Sequence, residues 1–144
     1  MDEKSKKYVE FVLERNRSGV NFPHEVGMIC DLLEPEVARG HFVAEQKMCN
    51  PLGIAHGGAY FTLMDQLAGM LIAVNGRRGV TLQSGINFLR SAQMGETVWC
   101  EVKAVHMGRS TALVEGRCYD DGGNTQATGT FQFFLKGNLE DLME

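Results

Sequence analysis

The sequence lacks the features that mark several large classes of protein. No run of five or six basic residues occurs among its 144 residues, and the formal net charge is −4. This acidic balance argues against general nucleic-acid binding, although a local basic patch could still bind a small anion. No stretch of 18 apolar residues is present, and the charged segment Met1–Lys7 leads into no apolar core. We therefore expect no secretory signal and no partnership with nucleic acid or membrane.

Cysteine and histidine each occur four times, but neither type is grouped. No CxxC or HExxH spacing occurs, and no Cys/His pair has the spacing of a zinc site. The sequence thus predicts no metal site. Scattered cysteines are typical of buried free thiols in a reducing compartment, so we expect a cytoplasmic location. The cysteines are Cys30, Cys49, Cys100 and Cys118, and the histidines are His24, His41, His56 and His106.

Length and composition indicate one globular domain. A chain of 144 residues is of single-domain size, and 44% hydrophobic with 22% charged residues is an ordinary globular composition. Neither an internal repeat nor a linker divides the chain. We predict a single domain that spans residues 1–144.

Hydrophobic periodicity predicts two main helices and six strands. An amphipathic helix is expected over residues 4–17 and an apolar central helix over about 57–75. The central helix would end before a polar turn at residues 76–79, and the tail at residues 137–144 is expected to be mobile. Runs with strand character cover residues 26–33, 40–47, 80–88, 97–106, 111–119 and 125–136.

This order of elements predicts an α+β fold in which an antiparallel meander follows the apolar helix. A helix that is apolar on all sides must be covered on most of them, and a curved sheet wrapped around it does so within one domain. Such a sheet leaves strand edges exposed. Pairing with a second copy of the chain would cover one edge.

Asp65 is the only charged residue between Lys47 and Arg77. It lies midway along the apolar helix, and no cation occurs three or four residues away to pair with it. Burial of an unpaired carboxylate costs several kcal/mol, so Asp65 must meet a partner from another element or face a cleft or solvent. Isolated acids in such surroundings are enriched at functional sites.

The segment His56-Gly57-Gly58 lies at the predicted start of the same helix. The first N–H groups of a helix have no partner within it, and glycine lets a ligand approach the backbone closely. These properties suit an oxyanion site for acyl transfer. The same residues also suit a tight turn into a helix, in which His56 only packs or caps.

The two features constrain each other through helix geometry. Gly57 and Asp65 are eight residues apart, which is about 12 Å along a helix axis. An oxyanion donor and a base or nucleophile must both lie within about 3 Å of one reacting group. If both serve one reaction, they must come from different chains of a two-fold dimer with two equivalent sites.

Taken together, these residues resemble a known family. The segment NPLGIAHGG at residues 50–58, followed by LMD at residues 63–65, is similar to the NxxGxxHGG…LxD pattern of hotdog-fold acyl-CoA thioesterases. The resemblance is to the phenylacetic-acid-degradation type and to human thioesterase superfamily member 2, and it covers roughly residues 43–136. It implies a hotdog fold, in which a curved antiparallel sheet wraps around a long central helix.

The resemblance implies hydrolysis of an acyl-CoA thioester to a free acid and coenzyme A. Asp65 would be the nucleophile or the general base that activates water. The N–H of Gly57 would polarise the thioester carbonyl, and Asn50 and His56 would orient substrate or water around it. Thr81 would position water near the acid.

Four further residues are implied in binding coenzyme A, namely Gly58, Arg90, Arg109 and Ser110. Arginine suits phosphate recognition because its planar guanidinium offers a fork of donors, although solvated loop charges would look the same in the sequence. Coenzyme A would enter as part of the substrate, so no separate cofactor is implied. The resemblance also implies a homodimer as the functional unit and a homotetramer built as a dimer of dimers.

Two other functions remain open at this stage. A non-catalytic acyl-CoA-binding protein would keep the fold without needing a competent acid. A hotdog dehydratase would pair a histidine with an acid differently, and no matching His-Pro element occurs. The acyl group is also open, since phenylacyl, hydroxyphenylacyl and medium-chain groups all suit a pocket that we expect around Tyr60, Phe61 and Met64.

Overall fold

A computed structural model describes residues 1–144 and shows one antiparallel sheet curved around a central helix. The four α-helices are α1 (Glu3–Arg17), α2 (Phe22–Glu25), α3 (Gly57–Val74) and α4 (Glu140–Met143). The six strands are β1 (Ile29–Leu33), β2 (Val37–Val43), β3 (Arg77–Phe88), β4 (Thr97–Met107), β5 (Thr111–Tyr119) and β6 (Thr125–Asn138). A short 3₁₀ turn covers Gln46–Met48. This architecture confirms the predicted α+β class.

The strand order differs from a simple meander. The order is β1-β2-β4-β5-β6-β3, with antiparallel pairing throughout. Strands β4, β5 and β6 form the expected meander, but β3 lies beyond β6 because β2 already occupies the free side of β4. The twelve-residue β3 is therefore an edge strand, while the short β1 forms the other edge.

The start of α3 is fixed by a side-chain cap. His56 is the N-cap residue, and its Nδ1 accepts a hydrogen bond from the Gly58 N–H at 2.8 Å. A cap of this kind satisfies one of the N–H groups that a helix leaves unpaired at its first turn. The imidazole must be unprotonated at Nδ1 to accept this bond, so the histidine that begins α3 caps as a neutral group.

The end of α3 corrects the predicted polar turn. The helix stops at Val74, and Gly76 adopts a positive φ of 85° that reverses the chain in a single residue. Strand β3 then begins at once, with Arg77 opposite Asn138. The expected turn at residues 76–79 was wrong because one glycine completes the reversal and the arginines join the sheet.

Two paired glycines bring the sheet close to α3. Gly116 of β5 lies opposite Gly129 of β6, and Met64 of α3 packs against both. A Cβ added to Gly116 would lie 2.7 Å from the Met64 Cγ, and one added to Gly129 would lie 2.9 Å from its Sδ. Met64 is fully buried as a result. It belongs to the core and not to an acyl pocket, which corrects that expectation.

The chain ends and the first two strands also depart from expectation. The tail is docked, since Leu139 is buried and the Tyr8 hydroxyl donates a 2.6 Å hydrogen bond to Glu140. Strand β1 starts later than predicted because α2 and Gly27, at a φ of 86°, precede it. Strand β2 starts earlier because a turn containing Pro35 leads straight into it.

The central helix is long and apolar enough to cross a membrane by composition alone. In the folded chain, however, 56% of its residues are buried, and they form the centre of a 31-residue hydrophobic cluster. That burial is the pattern of a core helix.

The four cysteines are unpaired, and two of them face each other in the core. Cys100 of β4 lies opposite Cys118 of β5, and both are fully buried. The hydrogen bond with Cys118 and the burial of the site raise the pKa of the Cys100 thiol well above its usual value. Neither thiol is exposed for chemistry at the surface.

The close packing at Gly116 predicts a stability effect. Gly116→Ala should lower the free energy of unfolding by about 1–3 kcal/mol, because the new methyl group overlaps Met64 and Val102. Gly69→Ala is the matched control, since a Cβ there meets nothing within 4 Å, and it should stabilise the helix by about 0.5–1 kcal/mol. Urea denaturation measures both, and equal stabilities would contradict the packing described.

The His56 cap predicts a second stability effect. His56→Ala should lower the free energy of unfolding by about 1 kcal/mol, because the Gly58 N–H loses its acceptor. His56→Asn should recover most of the loss, since asparagine is a favourable N-cap residue. Thermal unfolding of both variants checks this, and an asparagine variant as unstable as the alanine variant would show that the ring acts by packing and not by capping.

Candidate active site

Asp65 is hydrogen-bonded to a residue of the edge strand β3. The Thr81 Oγ1 donates a 2.6 Å hydrogen bond to Oδ1 of Asp65, which is half-buried on α3. No basic side chain lies within salt-bridge distance of the carboxylate. A short hydrogen bond to a charged oxygen is among the stronger polar contacts in proteins. Asp65 is thus held in one orientation by a neutral donor, and its charge remains uncompensated.

The amino end of α3 presents one free backbone donor. The Gly57 N–H donates to no acceptor in the chain, whereas the Gly58 N–H is occupied by His56. The Phe88 ring lies over Gly57, so that a Cβ at this position would come within 3.1 Å of the ring. Glycine at residue 57 therefore leaves room for a group to approach the free N–H beneath an aromatic ring.

Asn50 organises the loop that leads into α3. Its Oδ1 accepts hydrogen bonds from the N–H groups of Leu52 at 2.9 Å and Ile54 at 3.4 Å. The His56 N–H bonds to the Met48 carbonyl, which fixes the last residue of the loop. With Oδ1 engaged, the side-chain NH₂ of Asn50 is the part left to contact a substrate.

The two ends of this region do not meet within one chain. Gly57 and Asp65 stand about 12 Å apart along α3, and neither lines any of five cavities on the surface of the chain. One of these cavities, of about 630 Å³, lies on the outer face of the sheet among charged side chains, including Glu115 and Arg117. We refer to the Asp65–Thr81 pair as the acid half-site and to the free Gly57 N–H under Phe88 as the oxyanion half-site.

The arginines predicted to bind coenzyme A divide between the two ends of β3. Arg109 and Ser110 lie in the turn between β4 and β5, at the end of the sheet where β3 begins. Arg77 fixes that turn by donating to the Arg109 carbonyl at 2.9 Å. Arg90 follows the other end of β3, where its N–H and that of Leu89 donate to one carbonyl of β6. An exposed arginine therefore lies toward each end of β3.

Three residues near the site were not predicted to act there, namely Phe88, Arg77 and Gln126. Phe88 lies within a predicted strand and within the region that resembles the family, but no local pattern assigns its ring to Gly57. Arg77 was predicted to lie in a turn, and no sequence pattern indicated that it holds the Arg109 loop. Gln126 has both side-chain amide atoms buried without a partner, near the segment that follows β3.

Of Tyr60 and Phe61, which were expected to line an acyl pocket, only Phe61 is accessible at the surface. Tyr60 is buried between Phe42 and Phe88, and burial raises the pKa of its hydroxyl to about 12. The hydroxyl has no hydrogen-bond partner in the chain. Phe61 is exposed over 37% of its surface, so it alone of the expected residues lines an open face.

The sequence is similar to one named enzyme and to several solved proteins. The 1,4-dihydroxy-2-naphthoyl-CoA thioesterase 2 of Arabidopsis thaliana is 30% identical over 65% of this chain and 61% of its own length. The match thus spans less than two thirds of that enzyme. A hypothetical thioesterase from Streptococcus pneumoniae, solved with coenzyme A, is 28% identical, covers 78% of this chain and 90% of its own, and has a TM-score of 0.75. Variants of it with one threonine or one aspartate replaced by alanine superpose similarly, with TM-scores of 0.75 and 0.73.

A further solved structure confirms the fold. The Escherichia coli PaaI protein, from the phenylacetic acid degradation operon, is 19% identical and covers 94% of this chain and 95% of its own with a TM-score of 0.84. This superposition confirms the hotdog fold that the resemblance implied. Residues 52–127, which include both half-sites, match the thioesterase superfamily, and the chain therefore belongs to that superfamily.

Proposed function

We propose that this protein is an acyl-CoA thioesterase that hydrolyses a thioester to a free acid and coenzyme A. The observation that carries the proposal is the 2.6 Å contact between Thr81 and Asp65, which orients an unpaired carboxylate on an otherwise apolar helix. The free Gly57 N–H supplies the complementary donor for a carbonyl oxygen. A non-catalytic binder would have no need of an acid held in this way.

The spacing of the acid half-site supports this proposal. In the Streptococcus pneumoniae thioesterase, the replaced aspartate and threonine lie sixteen residues apart in the sequence. Asp65 and Thr81 are separated by the same sixteen residues. The two residues in contact here thus have the spacing of the pair that was replaced in a structurally similar thioesterase.

The proposed reaction follows from the charges of the two half-sites. The thioester carbonyl oxygen would bind at the Gly57 N–H, where the positive end of the helix dipole stabilises the negative charge that develops. Asp65 would either take a proton from water, which then adds to the carbonyl carbon, or attack that carbon directly. The C–S bond then breaks, and coenzyme A leaves as a thiolate that takes up a proton. Thr81 would keep one carboxylate oxygen fixed while the other reacts.

The site would be completed by a second copy of the same domain, residues 1–144. Edge strand β3 supports this, because twelve residues of unpaired edge carry exposed Val80, Leu82 and Phe88. Long apolar edges of this kind associate unless they are covered. An antiparallel pairing of two β3 strands about a two-fold axis near Ser84 and Gly85 would place Phe88 of one chain beside Thr81 of the other.

That pairing would join the half-sites and the arginines together. Phe88 lies at the oxyanion half-site, and Thr81 belongs to the acid half-site. Pairing these two residues would therefore bring the oxyanion half-site of one chain next to the acid half-site of the other. Arg90 would then approach the side on which Arg109 and Ser110 lie, which supports a shared site for the coenzyme A phosphates. Gly58 would contact the substrate only through its Cα, since its N–H is occupied by His56 and its carbonyl accepts a hydrogen bond from the Thr62 hydroxyl.

Asp65→Asn should lower kcat for acyl-CoA hydrolysis by about 10²–10⁴-fold, because the amide can neither accept a proton nor attack. Thr81→Ala should have a smaller effect of about tenfold or more, since only the orientation of the acid is lost. Release of free thiol from a panel of acyl-CoAs measures both, with circular dichroism as the check on folding. Near-wild-type hydrolysis by the asparagine variant would contradict the role of Asp65.

The oxyanion half-site allows a matched pair of variants. Gly57→Pro removes the N–H at the first helical position, where proline is tolerated, and should lower kcat by about 10²–10³-fold. Gly57→Ala adds a Cβ against the same Phe88 ring but keeps the N–H. Its kcat should therefore remain well above that of the proline variant. Equal losses in both would show that the crowding of Phe88, and not the N–H, limits the reaction.

A further inference from the structure

A groove of about 330 Å³ lies along α3 on the side covered by α1 and the carboxyl-terminal helix α4. Its volume is at the lower end of small-molecule sites, which span about 300–1,000 Å³. Half of its lining residues are hydrophobic. These are Phe11, Val12, Met70, Ala73, Leu139 and Leu142.

The groove opens beside the acid half-site. Gly69 lines it and follows Asp65 by four residues, so the two positions are neighbours about 5–6 Å apart on one helix face. A Cβ at Gly69 would meet nothing within 4 Å. A side chain at residue 69 would therefore project into open space next to the carboxylate, and glycine leaves that space free.

The polarity of the groove changes along its length. Near the acid it is lined by polar side chains, among which Gln66 donates a 2.8 Å hydrogen bond to Asn16. Toward the carboxyl end of α3 the groove is lined by Ala73, together with Phe11 of α1 and Leu142 of α4. From Gln66 to Ala73 the groove follows α3 for about 10 Å. A molecule with a polar head at the acid and an elongated apolar tail would match this gradient.

The walls of the groove come from outside the region shared with the superfamily. The superfamily match covers residues 52–127, whereas α1 ends at Arg17 and α4 begins at Glu140. Both terminal helices are held in place, since Tyr8 of α1 donates a hydrogen bond to Glu140 of α4. The groove is thus built by the terminal segments of this chain around a helix that carries the site.

We propose that this groove binds the acyl chain of the substrate, and that it selects unbranched apolar chains of medium length. The inference rests on the proposed thioesterase function and adds the substrate class to it. With the thioester carbonyl at Asp65, the chain would pass over Gly69 and end against Ala73 and Leu142. An elongated groove favours an extended alkyl chain over a bulky aromatic group.

The test is a change in chain-length preference. Gly69→Leu should lower kcat/KM for octanoyl-CoA by about tenfold or more, while kcat/KM for acetyl-CoA changes by less than about threefold. Ala73→Leu, at the far end, should reduce octanoyl-CoA hydrolysis less and decanoyl-CoA hydrolysis more. Ala104→Leu is the control, because Ala104 is exposed on β4 and does not line the groove. It should leave all three substrates unchanged.

Two outcomes would overturn the proposal. In the first, Gly69→Leu and Ala73→Leu leave the ratio of octanoyl-CoA to acetyl-CoA hydrolysis at its wild-type value. In the second, both substrates lose activity equally and sedimentation shows a changed assembly, which would make the groove an interface between copies of the chain.

A binding measurement separates failure of the groove from failure of the proposed function. If the wild-type protein hydrolyses no acyl-CoA, the proposed function fails, and calorimetry on the Asp65→Asn background still tests the groove. Octanoyl-CoA should bind more tightly than acetyl-CoA, and Gly69→Leu should remove that difference. Equal affinities for the two ligands in the Asp65→Asn protein would overturn the inference.

Discussion

The rigidity of helix α3 fixes the distance between the two half-sites, and the rest of the structure depends on that distance. Because α3 rises by about 1.5 Å per residue, its free N–H at Gly57 and its carboxylate at Asp65 cannot converge on one bond. The fold keeps them apart further by anchoring each to a different part of β3, through Phe88 and Thr81. In the dimer that we propose, two chains would join their half-sites at the exposed edge of β3, so catalysis and assembly would depend on the same strand.

The two sides of α3 differ in their packing: one is buried against the sheet, and the other stays accessible. One side is pressed into the sheet, where Gly116 and Gly129 admit Met64 to the core. The opposite side keeps Asp65 and Gly69 accessible, and the terminal helices build a groove along it. The superfamily match thus covers both half-sites, and the segments outside it line the space in which we place the acyl chain.

The sequence predicted the parts of the site that depend on local chemistry. A lone acid in an apolar helix and a histidine followed by two glycines are visible without a structure, and the rise of a helix separates them. The contact of Thr81 with Asp65 joins residues from different elements, so it came from family resemblance alone. The turn after α3 was misplaced because the backbone angle of Gly76, not the local charge, decides where β3 begins. Met64 was wrongly expected to line the acyl pocket because it turns toward the sheet, and only the strand pairing reveals the glycines that receive it.

The central claim is that each active site takes its acid from one chain and its oxyanion donor from another. The most direct measurement mixes two inactive variants, Asp65→Asn and Gly57→Pro, in equal amounts and allows their subunits to exchange. Half of the dimers would be mixed, each with one intact site, so about a quarter of wild-type thioesterase activity should return. If mass spectrometry shows that mixed dimers form and the mixture remains as inactive as its parents, the shared site is contradicted.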